Sequence, residues 1–207
     1  MLQGVLFCGA IVVLGLMIPR PATANIVQNP GFETGDHFTF TNWVFNTGTG
    51  AGNWRPANSN PHSGTWSAAT DCVGFSCIAP DTSPTGDWLY QDLPTTPLAL
   101  YNLSFWYAPG EGSGGEELQV WWNGTPVFND MNSNSDVNGL TYTQYTLPNL
   151  PATSPTTRLE FLGRQDPAFL YLDDISVEAT NVPEPSALAL FGVGLAGLWG
   201  SRRRIAA

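Results

Sequence analysis

The 207-residue chain contains no lysine, and only 12% of its side chains are charged, about half the share usual in globular proteins. What charge there is leans one way. Between residues 25 and 182, sixteen acidic side chains stand against three arginines, Arg55, Arg158 and Arg164. A body of that sign repels phosphate backbones, which excludes nucleic acid as a partner. The same charge keeps a chain soluble and suits a divalent cation. Cysteine is scarce too: Cys8 lies in the N-terminal apolar run, and only Cys72 and Cys77 remain in the body. In an exported protein such a pair points to a disulfide across a short loop. A zinc site would need more ligands, and the two histidines, His37 and His62, show no matching spacing. Helical periodicity is missing from the body. In its place, 22 glycines and 17 prolines supply the turns of a chain built from short strands.

Long apolar runs occur only at the two ends. Residues 5–18 form one, followed by Pro19 and Ala22-Thr23-Ala24. Small residues at Ala22 and Ala24 fit the signal peptidase pocket, so cleavage is expected before Asn25. The run is short for a retained membrane span. At the other end Val182-Pro183-Glu184-Pro185-Ser186 precedes an apolar run from Ala187 to Gly200, then Arg202-Arg203-Arg204. An apolar stretch closed by arginines is a stop-transfer arrangement that leaves its basic end in the cytoplasm. Its length is marginal for a bilayer, as a transient anchor requires. The whole C-terminal pattern resembles the PEP-CTERM sorting signal, a tag also carried by ice-binding proteins. That resemblance implies recognition by an exosortase in a Gram-negative bacterium that makes exopolysaccharide. It further implies membrane anchoring, cleavage near the motif, and a final place on the cell surface or in the extracellular matrix. No regularly spaced threonine array of the kind an ice plane needs is present.

Three regions follow: a signal peptide at 1–24, a folded body at 25–179 and a sorting signal at 180–207. In the body, strand-like runs at 40–46, 64–70, 86–93, 100–108, 116–123, 141–147, 157–163 and 169–178 alternate with turn clusters such as 109–115 and 123–126. Eight short strands point to a two-layer β-sandwich. Alternation assigns the faces. Leu118, Val120 and Trp122 share one side of their strand, opposite Gln119 and Trp121. In the last strand Asp173 aligns with Ile175 and Val177 and so points inward. The expected core is Phe32, Leu89, Leu103, Phe105, Val120, Leu159, Phe161, Ile175 and Val177. The opening 26–35 (IVQNPGFETG), the run 101–107 (YNLSFWY) and the ending 171–177 (YLDDISV) resemble galactose-binding-like jelly rolls, a superfamily with many carbohydrate-binding modules. The expected fold is therefore all-β, a jelly-roll β-sandwich with an N-terminal signal helix and a C-terminal single transmembrane helix.

The resemblance also places a structural Ca²⁺ where the first and last strands meet. Glu33 and Asp173 fall on the family positions, with Asp174 as a backup ligand. Calcium takes six to eight oxygens, and an inward carboxylate without a basic neighbour needs a partner. A hydrogen-bonded carboxylate without an ion is the alternative. For sugar binding, flat aromatic faces with polar neighbours are required. Trp106 and Trp121, with Gln119 and Asn102, are the expected platform, and Trp54, Trp66 and Trp88 are further candidates unless they pack in the core. No catalytic residue is expected. Glu116 and Glu117 are sequence neighbours in a Gly-rich segment and are expected to be solvated, unlike the opposed carboxylates of a glycosidase, and His62 beside Ser63 is adjacency without a triad. The sequence thus reads as a non-catalytic surface or matrix protein that binds polysaccharide. A structural or adhesive matrix component is the alternative, and a glycoside hydrolase comes last.

Overall fold

Runs that alternate apolar and polar residues over seven to ten positions cannot bury one side without pairing into a sheet. The body does so twice over, in a computed structural model that describes residues 24–46, 53–79, 86–110, 115–132, 140–166 and 168–180. Ten strands are present among them: β1 (Val44–Phe45), β2 (Arg55–Ala57), β3 (Ser67–Thr70), β4 (Trp88–Pro94), β5 (Leu100–Ala108), β6 (Glu116–Trp122), β7 (Thr125–Asn132), β8 (Thr143–Pro151), β9 (Thr156–Gln165) and β10 (Leu170–Ala179). The first sheet has the order β1-β4-β9-β6-β7 and the second β2-β3-β10-β5-β8. All strand pairs are antiparallel. From β4 onward the chain crosses between sheets at nearly every step, the weave of a jelly roll. The expected signal helix and transmembrane helix, and with them Val182–Ser186 and Arg202–Arg204, lie outside the described residues.

The inner faces of both sheets close on one core. All nine expected core residues are buried there, Phe32 at 2% exposure being the most accessible. Each fully buried Leu or Phe contributes about 1.5–3 kcal/mol. Trp54 also sits in this core, its Nε1 donating to the Asp87 carbonyl at 3.1 Å. It packs so close to β9 that a Cβ on Gly163 would lie 2.9 Å from its ring and 2.4 Å from Thr70. Only glycine fits there. Trp43 is buried against Phe32 and Phe161.

Three departures from the expected pattern have local causes. β7 exists although its residues contain Pro126 and Asn129-Asp130. It is an edge strand, where a missing N–H is tolerated. The turn before it is only Asn123-Gly124, both at positive φ, the two-residue hairpin that Asn-Gly favours. β2 is three residues long and also lies at an edge. The third departure is a bulge in β10. Asp173 pairs with Trp106 and Ser176 with Ser104, so Asp174 and Ile175 together face one residue of β5. Asp174 takes φ 46° to allow it. The extra residue inverts the alternation: Leu170, Leu172, Ile175 and Val177 all reach the core, while Asp173 shares the outer face of the second sheet with Trp106. The expectation that Asp173 points inward with Ile175 and Val177 is corrected accordingly.

Candidate functional site

Each sheet turns its second face outward, and the two outer faces differ. On the first sheet, residues opposite the core positions of β4, β9 and β6 line up in registered rows. Trp88, Leu162 and Gln119 form one row, and Tyr90, Glu160 and Trp121 the next. Neighbouring strands are about 4.8 Å apart, so Tyr90 and Trp121 stand roughly 10 Å apart with Glu160 between them. Trp88, Tyr90 and Trp121 are half-buried. Trp88 and Tyr90 approach with ring centroids 5.5 Å apart and 31° between planes. Arg158 lies 3.7 Å from the Tyr90 ring centroid, worth about 0.5–1 kcal/mol at such a site. Along β6, the Trp121 indole donates to Gln119 Oε1 at 2.9 Å, and Gln119 Nε2 donates to Glu117 Oε1 at 2.7 Å. The indole orientation is therefore set by a hydrogen-bond chain. Glu160 and Glu117 are nearly enclosed, at 3% and 7% exposure. Glu116, at 3%, is enclosed as well. The reading of Glu116-Glu117 as a solvated pair is thus corrected: both belong to β6, beside the face.

On the second sheet the outer face is covered at its centre. Trp106 pairs in register with Asp173 and Gln144, and the segment before β3 folds over it. The His62 ring stacks on Trp106 at 3.9 Å and 18°. His62 N and Ser63 N donate to Asp173 Oδ2 at 2.9 and 3.2 Å. Ser63 Oγ donates to Asp174 Oδ1 at 2.8 Å, and His62 Nδ1 lies 2.6 Å from Asp174 Oδ2. Glu33 Oε1 receives the N–H groups of Thr65 and Trp66 at 2.8 and 2.9 Å. The serine thus engages the carboxylate and not the imidazole, so no nucleophile–base pair is formed. Asp173 is fully buried. Desolvation, aided by the neighbouring Asp174 charge, pushes its pKa up to about 6 against the pull of three N–H bonds.

The expected platform of Trp106, Trp121, Gln119 and Asn102 is therefore divided. Trp121 and Gln119 lie on the first sheet. Trp106 and Asn102 lie on the second, where Trp106 is roofed by His62 and the Asn102 side chain accepts from Asn149 N at 3.0 Å. The first sheet supplies Tyr90, Glu160 and Glu117 instead, along with Trp88. Their signal was the polar-side alternation of Trp88-Tyr90-Asp92 and Arg158-Glu160. Of the expected calcium residues, Asp173 and Asp174 stand side by side at Gly31, while the Glu33 carboxylate lies against Gly64. A Cβ on Gly31 would lie 3.3 Å from Asp174 Oδ1 and 3.6 Å from Asp173 Oδ1, and one on Gly64 would lie 2.3 Å from Glu33 Oε1. These oxygens already hold peptide N–H groups, and no group of three or more His, Cys, Asp or Glu among the described residues is placed to hold a metal ion. Cys72 and Cys77 are joined in a disulfide, Cα atoms 5.9 Å apart. Its loop borders the first sheet: Cys72 O and Cys77 O accept from Gln165 N and Asp87 N, each at 2.9 Å.

This architecture matches solved carbohydrate-binding modules. The chain is 17% identical to TmCBM61 in complex with β-1,4-galactotriose, covering 76% of this chain and 100% of that one at TM-score 0.51. It is 12% identical to the CBM22-1 xylan-binding domain of a Paenibacillus barcinonensis protein, over 78% and 97% at TM-score 0.51. The K3 cleaved adhesin domain of Lys-gingipain from Porphyromonas gingivalis is 16% identical over 75% and 99%, at TM-score 0.50. At such identities these likenesses establish the jelly-roll fold. Residues 181–204 match the PEP-CTERM protein-sorting motif, which marks an exported, membrane-anchored surface protein and implies processing by an exosortase. No curated protein matches the sequence.

Proposed function

We propose that the body is a non-catalytic module that binds polysaccharide on the outer face of the first sheet, at the surface or in the matrix of a Gram-negative bacterium. The observation that carries this reading is the registered row Tyr90–Glu160–Trp121, extended by Trp88 and Gln119. Two aromatic rings about 10 Å apart offer stacking faces to separate sugar units of one chain. The Glu160 carboxylate between them is nearly enclosed, so the contact rests on the rings and on the polar groups at their rim. Neighbours with this fold include proteins described as bound to galactotriose or as xylan-binding, which supports the reading. Affinity electrophoresis through gels of soluble polysaccharides tests it. Tyr90→Ala and Trp121→Ala each lose most retardation, at a cost of about 1–3 kcal/mol in binding, while Trp106→Ala keeps it. Unchanged retardation of the first two variants would overturn the assignment and leave the structural or adhesive alternative.

The same reading includes a structural Ca²⁺ held by Glu33 and Asp173, with Asp174 beside them. The support is the neighbouring Asp173 and Asp174 carboxylates at Gly31, where the Glu33 side chain also passes, and the buried, repelled state of Asp173, which a cation relieves. When bound, the ion would tie the segment before β1 to β10 and take no part in chemistry. Addition of chelator then lowers the melting temperature, and calcium restores it. A melting curve indifferent to both would remove the ion from the account.

A further inference from the structure

The turns between β4 and β5, β6 and β7, and β8 and β9 all lie at the end of the sandwich where β10 finishes, and hydrogen bonds knit them into one surface. Thr95 N donates to Pro155 O at 3.0 Å, Leu98 N to Ala152 O at 2.8 Å, and Asn123 Nδ2 to Thr153 Oγ1 at 3.2 Å. Thr180, where the tail departs, donates from N and from Oγ1 to Leu100 O at 2.8 and 2.9 Å. Residues 94–100, 123–127 and 148–156, which build this end, contain no charged side chain, in a body where sixteen acidic residues stand against three arginines. On the strands that lead away from it, Arg158 and Asp92 are bonded to each other at 2.8 Å, and Glu178 is half-buried. The segments joining β5 to β6, β7 to β8 and β9 to β10, by contrast, include Glu111, Asp136 and Asp166. The uncharged end is also apolar at its tip. Leu98 is 92% exposed and Leu100 39%, with Pro94, Pro97, Pro151 and Pro155 exposed around them. Leu98 takes φ 68°, a left-handed backbone that leucine adopts only at a cost.

We propose that this end is a membrane-facing foot: in the anchored protein it rests on the lipid surface, with Leu98 entering the headgroup layer. Only six residues, 181–186, separate Thr180 from the apolar run that begins at Ala187, and fully extended they reach roughly 25 Å. The foot therefore never travels far from the bilayer. One leucine binds a membrane weakly, but a tether raises its effective concentration at the surface and makes a weak contact count. Charge favours the same placement. An acidic surface pressed against anionic lipid meets repulsion and the cost of dehydrating its carboxylates, whereas an uncharged one meets neither. Standing on this end sets the strands upright and leaves the outer faces of both sheets open to the matrix.

The test uses the full chain, held by its own tail in vesicles of phosphatidylethanolamine and phosphatidylglycerol that carry a nitroxide quencher on the headgroup. A fluorophore is placed by Thr96→Cys at the foot or by Met131→Cys near the other end of β7, each with Cys8→Ser. The Thr96 label is quenched about threefold more than the Met131 label or better, since contact with the headgroups falls off over the length of a strand. The tether alone brings some quenching to the foot, so the deciding comparison adds Leu98→Glu, a change at an exposed turn that the fold tolerates. It lowers Thr96 quenching toward the Met131 level, and circular dichroism stays unchanged. Equal quenching of the two labels, or Thr96 quenching that survives Leu98→Glu, would overturn the lipid contact and leave the uncharged end to a protein partner.

Discussion

Both outer faces of the sandwich carry a tryptophan in mid-strand, Trp121 on β6 and Trp106 on β5, yet the two meet opposite fates. Trp106 is roofed by His62, and the roof is fastened by Asp173, Asp174 and Glu33. Trp121 is steered by Gln119 and Glu117 on its own strand, with Tyr90 two strands away. The difference teaches that an outward aromatic becomes a binding surface or a fastening according to what the chain lays over it. Strand position alone does not decide. Acidic residues follow the same rule: on one face they receive peptide N–H groups from a folded-back segment, on the other they stand among rings.

Three measurements sharpen or break that contrast. The largest effect is expected at the fastening. Asp173→Ala leaves the N–H groups of His62, Ser63 and Asp174 without their acceptor, a cost of about 3 kcal/mol in stability. Denaturant midpoints report it, and glycan affinity stays unchanged. A comparable loss of affinity would mean that the two faces are coupled. Next, Trp106→Ala removes the stacking partner of His62 and lowers stability by about 2 kcal/mol, whereas Trp121→Ala costs affinity and little stability. A reversed pattern would exchange the roles of the faces. The smallest effect belongs to Asp87, one residue before Trp88. Burial pushes its pKa up to about 7, although Thr70 Oγ1 and Trp54 N bond it. A carboxyl raised above its unfolded value of about 3.9 stabilises the fold when protonated. Its contribution is complete below pH 4 and is lost as pH rises through 7. Between pH 6 and 7 the loss is about 1 kcal/mol. Asp87→Asn should flatten that slope, and a slope that survives the substitution would place its source elsewhere.

Much of this fold is legible from period-two patterning. Leu103, Phe105, Val120, Leu159 and Phe161 are apolar at alternate positions because one side of each strand is dry, and all are buried. The disulfide is legible from the pairing of Cys72 and Cys77 in an exported chain. What patterning misses is anything that breaks the period or depends on the weave. The β10 bulge moves Asp173 to the other face, and nothing in Leu-Asp-Asp-Ile announces the extra residue. Trp106 and Trp121 lie on strands consecutive in sequence, but a jelly roll sends those strands to different sheets. Tyr90 and Glu160 are 70 positions apart and meet only because β4 and β9 pair. The alternation of β4 shows that Tyr90 faces outward, but not which strand will lie beside it.

The tail leaves the body from β10, which is hydrogen-bonded to β3 on one side and β5 on the other. Ile26 N donates to Val177 O at 3.0 Å, and the Asn25 side chain accepts from Val177 N and donates to Ile175 O, so the first body residues are stitched to this same strand. Tension from an anchored tail would therefore enter along a central strand and load in shear its ladder with β5, together with the bonds to Asn25 and Ile26, before reaching the short ladder with β3 at the strand's other end. A tether leaving through an edge strand would instead peel its bonds away one by one. The body is thus joined to its anchor at a point suited to bearing a mechanical load.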